Sequence, residues 1–318
     1  MRILASAGVL ALAQATNALE LSFPVDCELG ESCFIQSYVD TDPTSDYADF
    51  TCNRLSYDGH KGTDIALPTA RDMDAGVAVL AAAEGTVIGL RDGMPEQRPG
   101  EPVVFPEGQD CGNGVLIAHD DGWETQYCHF AVGSVIVNTG DPVVAGQKLG
   151  EVGMSGRTNY PHLHINVRQN GQIVDPFEPS PDGSCGAPAA DQLWQPALAY
   201  EPGGLLRTGF AAGVPELDTI KLGDAHAPTL TTAGGALVFW AYLFGTREGD
   251  ELRLTITGPK GEFFDNTVTF DRTHALAFRA GGRRLHAANT EPGAYEGVAR
   301  HIRDGQETGT MTARTVLE

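Results

Sequence analysis

The chain has 318 residues, long enough for two domains behind a cleaved leader, and its 39 glycines and 19 prolines favour tight turns and strands over long helices. Its 42 acidic residues against 21 Lys and Arg give a formal charge of -21. That charge argues against attraction to nucleic acid, to an anionic membrane surface or through a basic wall-binding module.

Arg2, an apolar run over 3–13 and the small or polar Thr16, Asn17 and Ala18 form the pattern of a signal peptide at 1–18, cleaved after Ala18. The run is shorter than the roughly 20 apolar residues that span a bilayer, and no second run follows. The mature protein is therefore expected to be secreted or periplasmic and free of the membrane. Six cysteines (Cys27, Cys33, Cys52, Cys111, Cys128 and Cys185) form an even set before residue 190, which an oxidising compartment would pair. No C-x-x-C pair supports a cysteine-based zinc site.

Residues 19–185 read as one mainly β unit with a cysteine-rich lead-in that contains the acidic stretch 40–49. Short apolar runs at 78–83, 86–90, 114–119, 123–130 and 162–168 alternate with turn residues, as in a compact antiparallel sheet. A Pro- and Gly-rich insertion at 91–110 reads as a rim loop or a mobile one. Residues 186–203 carry the Pro and Gly content of a linker, and 204–318 read as a smaller β-sandwich with strands near 237–244, 251–257, 266–270 and 276–279.

Three segments carry chemistry. In Pro161-His162-Leu163-His164-Ile165-Asn166-Val167-Arg168, strand alternation puts Leu163, Ile165 and Val167 on a core face and both histidines on a polar one. Glycines around His60 disfavour a helix, so His60 and Asp64 are expected to converge through a turn or an irregular strand. With one histidine of the strand they supply three N/O donors, the set of a catalytic zinc with an open fourth position; manganese and iron fit such donors too. In the strand from Trp123 to Phe130, alternation places Thr125, Tyr127 and His129 on one face. Asp120-Asp121-Gly122 reads as the hairpin turn before it, in a register where numbers summing to about 240 face one another, which pairs Cys111 with Cys128. Cys27 with Cys33 and Cys52 with Cys185 are the pairings chosen for the other four.

The order of His60-x-x-x-Asp64, Tyr127-Cys128-His129-Phe130, Gly146-Gln147-Lys148-Leu149-Gly150, Val152-Gly153-Met154-Ser155-Gly156, His162-Leu163-His164 and Val174-Asp175-Pro176 resembles the M23 peptidases of the lysostaphin/LytM type, over about residues 58–178. The resemblance implies an antiparallel peptidase fold and one zinc per chain held by His60, Asp64 and His164. It makes His129 and His162 catalytic histidines and the peptide part of peptidoglycan the substrate. The alternative is an inactive LytM-type adaptor that activates another wall hydrolase, but such proteins lack one or more ligands, and all five positions are filled here. The C-terminal region could add a wall or protein partner. Two departures from the family stand out, Tyr160 where it has Gly and Asn166 where it has an acid, and both are expected to reshape the groove. His119, His226, His274, His286 and His301 read as ordinary surface or core residues; Asn113, between two glycines, reads equally as part of the groove wall or as a tight-turn residue and is left out of the site.

Overall fold

The computed structural model describes residues 19–181, 183–233, 235–286 and 290–318; the expected signal peptide at 1–18 lies outside the described residues. The fold is mainly β, with antiparallel sheets. The two α-helices among the described residues, α1 (Ala70–Asp74) and α2 (Leu217–Leu222), are each under two turns.

In the N-terminal unit the strands are β1 (Phe34–Ser37), β2 (Thr63–Ala66), β3 (Ala78–Leu80), β4 (Gly85–Arg91), β5 (Asn113–Ala118), β6 (Trp123–Phe130), β7 (Pro142–Val143), β8 (Lys148–Glu151), β9 (His162–Gln169) and β10 (Gln172–Ile173). The main sheet runs β1-β2-β9-β6-β5-β4-β7, with β10 folded back on β9, while β3 and β8 form a separate pair. Leu163, Ile165 and Val167 of β9 are buried with Ile65, Tyr127, Ile117 and Val87, so one sheet face is core, as the alternation requires. Each such side chain, fully buried, stabilises the fold by about 1.5–3 kcal/mol.

The hairpin turns at Asp120–Gly122 as expected, with φ of 54° at Asp121 and 75° at Gly122. Its register differs: Cys128 faces Gly114, and Cys111 lies beyond the end of β5. The Cys111–Cys128 disulfide nonetheless forms, with Cα atoms 4.8 Å apart, because Cys111 folds back over Gly114, where an added Cβ would lie 3.3 Å from its sulfur. Cys27–Cys33 and Cys52–Cys185 are bonded as chosen. The acidic lead-in does more than solvate the surface. Buried Asp49 accepts hydrogen bonds from Thr51, Asn53, Leu55 and Tyr200, and Asp40 accepts from Gly59 next to His60.

The C-terminal unit contains β11 (Gly204–Ala211), β12 (Thr229–Leu230), β13 (Ala236–Thr246), β14 (Glu251–Gly258), β15 (Gly261–Thr269), β16 (His274–Arg284), β17 (Gly293–Arg303) and β18 (Gln306–Leu317). A β11-β13-β16 sheet and a β12-β18-β17-β14-β15 sheet share the core of Phe210, Leu237, Phe239, Leu243, Leu254, Ile256 and Tyr295. Strand β13 is apolar on both faces. Leu237, Phe239, Ala241 and Leu243 enter that core, while Trp240, Tyr242 and Phe244 pack with Leu206 against Phe34 and Ala66 of the first unit. The Phe34 and Phe244 rings lie 4.5 Å apart. This shared apolar layer was not part of the two-domain expectation. Behind it the buried Arg303–Asp250 pair (2.7 Å) also holds the chain between the units, through Arg303 to the Pro202 carbonyl at 2.8 Å.

Phe244→Ala is expected to leave a cavity in this layer costing about 3–5 kcal/mol. The change is expected as a fall in the urea midpoint followed by circular dichroism, and an unmoved midpoint would mean that the two units are not packed together.

Candidate metal centre

Asp64 and His164 are direct cross-strand partners of β2 and β9, so their side chains share a face. His60 reaches them from the turn before β2, where the chain crosses so close to β9 that a Cβ on Gly62 would meet the Ile165 carbonyl at 2.5 Å and His164 Nε2 at 2.8 Å. His60 Nε2 lies 3.1 Å from both Asp64 Oδ1 and His164 Nδ1, and the latter two are 2.7 Å apart. Among the described residues this is the group of three donors close enough to hold one metal ion. A tetrahedron with zinc bonds of about 2.0–2.1 Å has edges of roughly 3.3 Å, so the set fits such an ion after a slight expansion. His60 Nδ1 donates to the Tyr38 carbonyl at 2.6 Å, which leaves Nε2 as the nitrogen a metal would bind once its proton is displaced.

Burial opposes the charge on Asp64, yet the imidazoles of His60 and His162 and hydrogen bonds from His164 and His60 hold its carboxyl well below the usual range. Burial likewise opposes the charge on His60, but Asp64 and the Tyr38 carbonyl outweigh it and raise its pKa. These three donors are thus an anion and two imidazoles drawn together, His60 and Asp64 buried and His164 part-exposed.

His129 is where strand alternation fails. Asn113 pairs with Phe130 and Gly114 with Cys128, leaving His129 as the extra residue of a bulge with φ at 66°. Thr125 and Tyr127 remain on the core side, where the Tyr127 hydroxyl accepts from Ala82. His129 is turned off their face instead, its ring 4.6 Å from that of His162 and 6.0 Å from that of His164. A left-handed conformation costs a non-glycine residue about 1–2 kcal/mol, so the bulge has to be held. The His129 N–H donates to Cys111, its carbonyl accepts from Gly153, and Nδ1 donates to the Ser155 carbonyl at 2.7 Å. His162 Nδ1 similarly faces the Tyr160 carbonyl at 3.1 Å while Nε2 stands 3.6 Å from Asp64 Oδ1. Burial pushes both imidazoles below their ordinary pKa, that of His129 far below with help from His162 and His164. Burial thus disfavours the charged form of both rings, and the carbonyl facing each Nδ1 directs a proton to that nitrogen and leaves Nε2 as the acceptor.

Sequence reading missed four residues at this site. Tyr160 and Asn166, expected to shape the groove, touch the ligands themselves: the Tyr160 hydroxyl donates to Asp64 Oδ2 at 3.0 Å, and the Asn166 amide lies 2.9 Å from His164 Nε2. Asn113 is more than a turn residue, because its side chain bridges Met94 of the 91–110 insertion to the Phe130 carbonyl beside the bulge. Ser155 supports the same bulge by donating to Phe130. Departure from a familiar motif was the available signal for the first two, and burial between glycines for Asn113. His119 stays outside the cluster, bonded to Glu84 and Thr125.

Residues 58–176 match the family model of peptidase family M23. The DD-carboxypeptidase/endopeptidase Mpg of Neisseria meningitidis is 33% identical over 128 residues, 39% of this chain and 24% of that protein. The peptidoglycan DD-endopeptidase ShyA of Vibrio cholerae is 30% identical over 116 residues, 36% of this chain and 22% of its own length. The chain thus spans less than a quarter of the length of these curated relatives. A crystal structure of a zinc-containing peptidase from Vibrio cholerae is 28% identical over 46% of this chain and 39% of that one, with a TM-score of 0.29.

The Asn166 amide satisfies its surroundings when its NH2 donates to His164 Nε2 and to the Lys61 carbonyl at 2.5 Å and its oxygen accepts from Arg168 at 3.2 Å. That orientation keeps the His164 proton on Nδ1, the nitrogen a metal needs. Asn166→Asp offers acceptors only and favours the Nε2–H tautomer, so zinc affinity measured by chelator competition should rise about tenfold or more. Equal or weaker binding would refute this link.

Proposed function

We propose that this chain, through its M23-type segment at 58–176, is a secreted or periplasmic zinc metalloendopeptidase that hydrolyses peptide bonds in the stem or cross-bridge peptides of peptidoglycan. The observation that carries the reading is the convergence of His60 Nε2, Asp64 Oδ1 and His164 Nδ1 beside two further histidines, His129 and His162, whose charged forms burial disfavours. The names of the relatives, a DD-carboxypeptidase/endopeptidase and a peptidoglycan DD-endopeptidase, support the substrate class. Three disulfides support an oxidising compartment, and no helix among the described residues is long and apolar enough to cross a membrane. The adaptor reading draws no support from the site, whose ligand positions are all occupied by donors.

Zinc, when bound by His60, Asp64 and His164, would supply Lewis acidity that polarises the scissile carbonyl and lowers the pKa of an attacking water. The rest falls to the protein. With the proton of each ring fixed on Nδ1 by a carbonyl of Ser155 or Tyr160, His129 and His162 present Nε2 as a proton acceptor for the water. Once protonated there, the same nitrogen becomes a donor to the developing oxyanion or to the leaving amine. Two histidines so arranged take the place of the glutamate base used by zinc peptidases of the H-E-x-x-H type.

Zinc content and wall-hydrolysis rate of four variants test this division of labour. His164→Ala should lose zinc and activity together, since two protein ligands hold the ion weakly. His162→Ala and His129→Ala should keep zinc but turn over about 10²- to 10⁴-fold more slowly. His119→Ala should alter neither property. Zinc loss in His162→Ala with retention in His164→Ala would reverse the ligand assignment, and full activity in both His129→Ala and His162→Ala would remove the mechanism.

A further inference from the structure

The two oxygens of Asp64 have different surroundings. Oδ1 faces His60, His164 and His162 at 3.1, 2.7 and 3.6 Å, in the middle of the donor cluster. Oδ2 points away and accepts the Tyr160 hydroxyl at 3.0 Å. A carboxylate pinned at one oxygen cannot rotate about its terminal bond without breaking that hydrogen bond, so the other oxygen is presented in one direction.

Tyr160 is itself held from two sides. Its ring stacks on His162, with centroids 4.3 Å apart and planes 22° from parallel. It also packs against the apolar cluster in which Phe34 and Ala66 meet Leu206, Trp240, Tyr242 and Phe244. Ala66 lies two residues beyond Asp64 on β2 and pairs with His162 of β9. The short strand that carries a ligand therefore has the donor cluster at one residue and the C-terminal unit packed on another.

We propose that Tyr160 is a positioning residue that ties the Asp64 carboxylate to the C-terminal β unit, so that metal binding at His60, Asp64 and His164 depends on the sandwich packed behind the site. This rests on the metal-site reading above and adds to it a role for the C-terminal unit as part of the ligand scaffold. Metal binding and the packing of the units are then coupled through one side chain, and coupling of that kind is reciprocal: whatever orders one end orders the other.

The test uses the full chain with zinc as the only added ligand. Tyr160→Phe keeps the ring and removes the hydroxyl; it should bind zinc about 10- to 100-fold more weakly in chelator competition, the usual range for an outer-shell partner, with an unchanged circular dichroism spectrum. In the wild type, zinc should also slow amide exchange in the peptide covering residues 240–244 of β13, far in sequence from any ligand. Unaltered affinity in Tyr160→Phe would overturn the carboxylate tether, and unchanged exchange at 240–244 would overturn its extension to the C-terminal unit. If Tyr160→Phe does not fold, the exchange measurement on the wild type still decides that extension, and Tyr160→Leu, which has no side-chain donor, replaces it in the affinity arm. A wild type that takes up no zinc would instead bring down the metallopeptidase reading itself.

Discussion

A carboxylate with 1% of its surface exposed organises this molecule. An isolated buried anion is too costly to keep, so Asp64 stays charged only because the fold surrounds it with donors. Those donors come from widely separated parts of the sequence: His60 from the turn before β2, His164 from β9, and Tyr160 from the loop between them. Satisfying one carboxylate therefore fixes how β2, β9 and the loop before β9 lie against each other. The same arrangement gathers imidazole nitrogens around an anion, and a divalent cation could take the place of the protons they now share with it.

Much of this was legible before any coordinates. The alternation of Leu163, Ile165 and Val167 with His162 and His164 separates core from site because β9 is a regular strand, where a period of two holds. His129 was assigned its role by resemblance, but its orientation was misread. A bulge of one residue reverses every facing inferred past it, and with histidine rather than glycine at the positive-φ position the sequence gives no warning. The cysteine pairing at Cys111 survived a wrong register because a side chain folding back over Gly114 needs only proximity. Tyr160 and Asn166 were visible as departures, but that each would touch a ligand depends on a loop path that no periodicity encodes.

The C-terminal region shows a different limit. The run Ala236-Leu-Val-Phe-Trp-Ala-Tyr-Leu-Phe244 has no polar alternation, which already describes a strand buried on both faces. Reading it as an ordinary sandwich strand accounted for Phe239 and Leu243 and left Trp240 and Phe244 without partners. Those partners, Phe34 and Ala66, lie in two short strands of the first unit about 170 or more residues earlier in the chain. The long β17 and β18 ladder was missed for a simpler reason. Its exposed positions carry Thr, Glu and Arg in place of a continuous apolar face, so only half of each strand announces itself.

The three disulfides also imply an order of assembly. Cys27–Cys33 and Cys111–Cys128 close loops of 6 and 17 residues, whereas Cys52–Cys185 spans 133. A chain emerging from its N-terminus presents Cys52 long before Cys185, alongside four thiols, Cys27, Cys33, Cys111 and Cys128, that are the wrong partners. Closing a short loop costs less chain entropy than closing a long one, so the two local pairs are favoured first. Each removes its own thiols from competition, and what remains when Cys185 arrives is a single free cysteine. Connectivity that would otherwise be one choice among fifteen is thereby reduced to a sequence of steps with no branch at the last one.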